Sequence, residues 1–153
     1  MEAFELTFFY PRGRYDEKSI EYITEKYKQY DSFGVKSIVD FFSDEGKDFD
    51  EFRICIFDFR LRKDNFESIF VQLSQCVGSI LNEMEDVYFV TGIYELTYYF
   101  TEHKIHINEF DEAFMQKFPI VFYRTDKSLN TGKVIYSDKN ITCVFHEGAQ
   151  NLY

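Results

Sequence analysis

Residues 43–51, Ser-Asp-Glu-Gly-Lys-Asp-Phe-Asp-Glu, place five carboxylates within eight positions. Oxygen-rich segments bind hard cations, so a calcium loop is the first chemistry to test. The spacing argues against it. An EF-hand loop wants acids at its positions one, three and five with glycine sixth, whereas Gly46 falls third. Two other readings fit the composition. One is a solvated hairpin tip. The other is a partner-binding loop in which Asp44, Glu45, Asp48, Asp50 and Glu51 draw in a basic surface and Phe49 or Phe52 supplies the anchor. Glu83, Glu85 and Asp86 form a second candidate contact, at the end of a long apolar-striped segment. Three acids at a helix C-terminus oppose the helix dipole, a placement that hints at function.

His103 and His106 lie three residues apart beside Glu102. On a helix they would share a face and could hold zinc with help; on a strand they would point to opposite faces. No third ligand follows at a matching spacing, and His146 is forty residues further on, so surface histidines are the better reading. Nucleophilic catalysis needs a positioned nucleophile and base. The chain has no Gly-x-Ser-x-Gly elbow, Gly-rich phosphate loop or dinucleotide fingerprint. Cys76 sits on an apolar helical stripe and Cys55 within a strand, so both are expected to be buried and inert. Distant Asp and Glu could converge for glycoside chemistry, but with 27 acids such a pairing has no signature. No catalytic residue, metal site or cofactor is expected.

The elements that would position these residues follow from periodicity. Residues 3–10 alternate Phe4, Leu6 and Phe8 with Glu5 and Thr7, a strand ended by Pro11-Arg12-Gly13. Asp16 caps a helix whose stripe is Ile20, Ile23, Tyr27 and Tyr30, with Glu17, Glu21 and Lys28 opposite and Tyr22 pointing away. Residues 35–42 and 52–61 read as strands, the second apolar on both faces and hence interior. Asp64 and Glu67 resemble a capping box. The helix they open carries Phe66, Ile69, Phe70, Leu73, Cys76, Val77, Ile80, Leu81 and Met84 on one broad stripe. Residues 87–100 suggest a strand with a kink or bulge at Gly92, and 101–107 fit either strand or helix. Asn108 opens a short helix with Phe110, Phe114 and Phe118, stopped by Pro119. Two or three strands close the chain, at 120–124, 133–137 and 141–146, with Asp138-Lys139-Asn140 as the turn between the last two. The expected fold is α+β: a mixed, mostly antiparallel sheet, two main helices packed on one face, and a short third helix.

With 153 residues, two prolines, seven glycines and no linker-like stretch, the chain is expected to be one domain. Nineteen Phe and twelve Tyr, without Trp, accompany a formal charge of −10. Residues 1–100 hold 20 acids against 11 bases and supply −9 of that charge. Binding to phosphates needs cations, so direct nucleic-acid contact is not expected, and an anionic membrane would repel the chain. Residues 87–100 are too short and polar to span a bilayer. No signal peptide is expected at the N-terminus, and an odd number of scattered cysteines (Cys55, Cys76, Cys143) points to a reducing compartment, the cytoplasm. Oligomeric state stays open.

A small, acidic, aromatic-rich α+β domain of this character resembles the bacterial immunity proteins that neutralise polymorphic or contact-dependent toxins. The resemblance spans the whole chain but rests on no motif, and it carries no residue over. It implies a cytoplasmic protein that binds a basic cognate toxin domain, such as a nuclease, and occludes it sterically and electrostatically. Phage-encoded inhibitors that imitate nucleic-acid charge share this character. A small enzyme and a self-associating accessory protein are the remaining classes.

Overall fold

The alternation Phe4, Leu6, Phe8, Tyr10 builds an interior strand, β1 (Ala3–Pro11), all four side chains buried on one face. The computed structural model describes residues 3–28, 37–43, 46–57, 66–94, 118–127, 129 and 132–146. After β1 come α1 (Glu17–Lys28), β2 (Ser37–Ser43), β3 (Phe49–Phe57), α2 (Phe66–Glu83), β4 (Phe89–Tyr94), β5 (Ile120–Arg124), β6 (Lys133–Ser137) and β7 (Ile141–Phe145). The seven strands form one sheet in the order β2-β3-β1-β4-β5-β7-β6.

Every pairing among these strands is antiparallel. The expected α+β sheet with two helices on one face forms, and each helical crossover within it is split. α1 joins β1 to β2 with β3 inserted between them, and α2 joins β3 to β4 with β1 inserted. Strands joined through a helix run parallel without touching. The expected short helix from Asn108 and the ambiguous 101–107 segment lie outside the described residues, apart from Phe118.

Both helices pack on one face. The α2 stripe buries Phe70, Leu73, Val77, Ile80 and Met84 against Phe4, Leu6, Phe8, Ile54, Phe122 and Cys143. Each large apolar side chain so buried stabilises the fold by roughly 1.5–3 kcal/mol before entropy is counted. Ile20 of α1 joins this core, and the Phe8 and Phe52 rings stack at 4.4 Å. Asp16 caps α1 through Oδ1, which accepts the Ser19 N–H at 2.7 Å. Gly92 makes no bulge: its register with Leu6 and Ile120 is continuous. The position needs glycine because a Cβ there would lie 2.7 Å from Cζ of Phe4. The irregular register falls instead between Val134 and Tyr136 of β6.

The opposite face carries a second core of Phe9, Phe49, Phe89, Phe118, Val121, Tyr123 and Val144. Among the described residues, most rings thus belong to two cores back to back across one sheet.

Candidate functional site

The acidic segment 43–51 is not one exposed loop. Asp44 and Glu45 lie outside the described residues. β3 begins three residues earlier than the hydrophobic pattern suggests, and Phe49, Asp50 and Glu51 are strand residues. Phe49 is 1% exposed and meets Phe9 edge-on at 5.8 Å. That burial corrects its expected role as an outward anchor; Phe52, the other anchor named, is buried in the helix-side core. Asp50 ties three segments together: Oδ1 accepts the Ser43 hydroxyl at 2.7 Å and Oδ2 the Gly13 N–H at 2.8 Å. Gly13 has φ +74°, a left-handed turn that aims this N–H at the hairpin. Arg12 adds its N–H to the Asp48 carbonyl and its guanidinium to the Lys47 carbonyl, both at 3.2 Å. Of the described candidates in this segment, only Asp48 has an exposed side chain.

The helix-end acids are matched from within. Glu83 accepts from Lys26 Nζ at 2.6 Å and from the Tyr27 hydroxyl at 2.5 Å, and these two partners hold its carboxyl below the usual range. Asp86 pairs with Arg14, and its N–H donates to the Tyr15 hydroxyl at 3.0 Å. Arg124, reaching from β5, donates to the carbonyls of Leu81 at 3.1 Å, Met84 at 2.8 Å and Val87. A guanidinium therefore sits on the negative end of α2; burial lowers its pKa, against the smaller opposing pull of Asp126, Glu85 and Asp86. The opposition between these acids and the helix dipole is offset by a cation from another strand. Glu85 is exposed.

Sequence reasoning missed a charged cluster on the far face. Glu5, Glu51 and Arg53 are 2%, 5% and 5% exposed. Arg53 bonds Glu51 Oε1 at 2.6 Å, and its Nε lies 3.5 Å from Glu5 Oε1. Thr7 donates to Glu5 Oε1 at 3.2 Å, and the Cys55 thiol points to Oε2 at 3.7 Å. Burial raises the Glu5 pKa against the opposing pull of Arg53, and burial with the Glu5 charge pushes the Cys55 thiol up to about 12. A thiol so held is a poor nucleophile at neutral pH. Among the described residues, Glu51 Oε2, Arg53 Nε and the Thr91 hydroxyl find no hydrogen-bond partner. The Phe42 ring covers the guanidinium at 4.0 Å. A signal existed: a strand apolar on both faces is interior, so the arginine between Phe52 and Ile54 had to find a buried counter-ion.

Among the described residues, α1 carries an exposed charged surface on which Lys18 and Lys26 accompany three acids. Glu17, Glu21 and Glu25 are exposed four residues apart, and Tyr22 beside them is 68% exposed with Lys26 Nζ 4.6 Å from its ring centre. Because Lys26 reaches Glu83 of α2, the three glutamates lie on the flank of α1 turned away from α2. Chemically, such a face can attract and hold cations of another macromolecule. His103 and His106 lie outside the described residues, and among the described residues no group of three or more His, Cys, Asp or Glu is arranged to hold a metal ion. Among the described residues, no helix is long and apolar enough to cross a membrane. Comparison with known protein families, curated proteins and solved structures finds no match to this chain.

Proposed function

We propose that the chain is an inhibitory binding protein that neutralises a basic protein domain, in the manner of toxin immunity proteins, acting in the cytoplasm. The observation that supports this reading is the outward face of α1, where Tyr22 stands exposed among Glu17, Glu21 and Glu25 in a chain of charge −10. Exposed acids speed encounter with a cationic partner and penalise wrong partners. An exposed tyrosine then offers ring area and a hydroxyl at small entropic cost. Asp48 and Glu85 are further exposed acids among the described residues. Phe49, Asp50, Glu51, Glu83 and Asp86 act indirectly, by holding the turns and helix ends that display them. In this reading the protein works by occlusion, and no bond is made or broken.

The test is co-expression with the C-terminal domain encoded by the adjacent upstream reading frame. Restored growth supports the reading, and survival equal to an empty vector removes it.

A further inference from the structure

The two outer strands of the sheet are built differently. β6 opens on Lys133 and breaks register between Val134 and Tyr136. Lysines and bulges are the usual means of blunting a sheet edge. β2 has neither. It pairs with β3 in unbroken register from Ser37↔Ile56 to Ser43↔Asp50 and contains no Pro, Gly or Lys.

The direction of its free backbone groups follows from one hydrogen bond. The Arg12 N–H meets the Asp48 carbonyl, and this pair continues the β1–β3 register by one step beyond Pro11↔Phe49. In an antiparallel ladder the inward and outward bonds alternate. Even-numbered residues of β3 therefore bond β1, and odd-numbered ones, including Arg53, bond β2. Asp40, opposite Arg53, turns its backbone inward. Among the described residues no strand pairs with the outer side of β2, so Val39 and Phe41 present N–H and C=O along that edge.

We propose that β2 is a docking edge that takes an extended, cationic segment of a partner protein as an additional strand. Asp40 is exposed at the middle of the strand, Phe42 beyond it on the same face is 40% exposed, and α1 packs beside β2 with its glutamate flank turned away from α2. An incoming strand meets half-buried Val39 and Phe41 on the helix side, where apolar side chains fit, and Asp40 on the other, where a Lys or Arg fits. A second copy of this chain fits poorly. Full antiparallel overlap of two β2 strands sets Asp40 directly against its own counterpart, between molecules that each carry −10. The inference deepens the inhibitory reading and rests on it for the class of partner.

The probe is a short synthetic peptide alternating valine with lysine, compared with a twin carrying glutamate for lysine. Calorimetry should show the lysine peptide binding at least about tenfold more tightly, with an advantage that shrinks as salt rises. Amide NMR should place the shifts on Val39 and Phe41. Asp40→Lys should narrow the preference by about three- to tenfold. Val39→Pro, which deletes an outward N–H, should abolish binding with an unchanged circular dichroism spectrum. If that variant misfolds, Asp40→Lys alone decides. Equal binding of the two peptides, no binding of either, shifts confined to β6 or α1, or dimers in sedimentation would each overturn the proposal. Peptide binding with failed cellular rescue discards the inhibitory reading and keeps the edge. Rescue undiminished in both variants does the reverse.

Discussion

Arg53 is held between two buried carboxylates under the Phe42 ring, and its removal would leave both acids without a counter-charge. Breaking a buried pair in this way costs about 3–5 kcal/mol. Arg53→Met should lower unfolding stability by that order in urea titrations, and replacing both Glu5 and Glu51 by Gln in the same background should recover much of it. Glu5 alone predicts the opposite sign. Burial raises its folded-state pKa, so the folded protein binds this proton more tightly than the unfolded chain does. The contribution is full below the unfolded value of about 4.5 and is lost as pH rises through the folded pKa. Glu5→Gln should therefore stabilise the protein near neutral pH, and the gain should fade towards pH 4.5. Denaturation midpoints across that range check it; a gain independent of pH contradicts the assignment.

Between elements, the most consequential contact is the one Arg124 makes with the end of α2. It satisfies carbonyls that a helix terminus leaves unpaired, using a donor some forty residues away in sequence. Arg124→Met keeps much of the side chain's apolar bulk and removes those charge-assisted bonds. A loss of about 2–3 kcal/mol is expected, with hydrogen exchange rising first in the last turn of α2 and little change in α1. Helices α1 and α2 were legible because their stripes repeat at helical spacing and need no partner to be recognised. The start of β3 was not. Asp50 and Glu51 look like loop residues until their partners, Gly13 with Ser43 and Arg53, are brought beside them. Gly92 was misread for a similar reason, since the ring that demands a missing Cβ belongs to Phe4 on another strand.

For the molecule as a whole, charge should govern association. Replacing Glu17, Glu21 and Glu25 by Ser removes three exposed carboxylates from the flank of α1 without touching either core. The complex with a basic partner should weaken at least about tenfold, mainly through slower association, and its salt dependence should flatten. Stopped-flow kinetics at two ionic strengths tests this. An unchanged association rate would move the contact surface off α1, while a loss of thermal stability would show the substitutions to be structural.

Periodicity, composition and turn chemistry were enough to determine the α+β class, the order of the described elements and the net acidity. These properties are local or additive: each residue contributes according to its type and its near neighbours in the chain. Which acids face water was settled only when the chain closed on itself. Tertiary packing brought Arg53 to Glu5, Lys26 to Glu83 and Arg124 to the end of α2, and cations so placed turned several apparent contact residues into internal braces. A carboxylate's role depends on the charge within a few ångströms of it, and in this sheet that neighbour is supplied by residues distant in sequence.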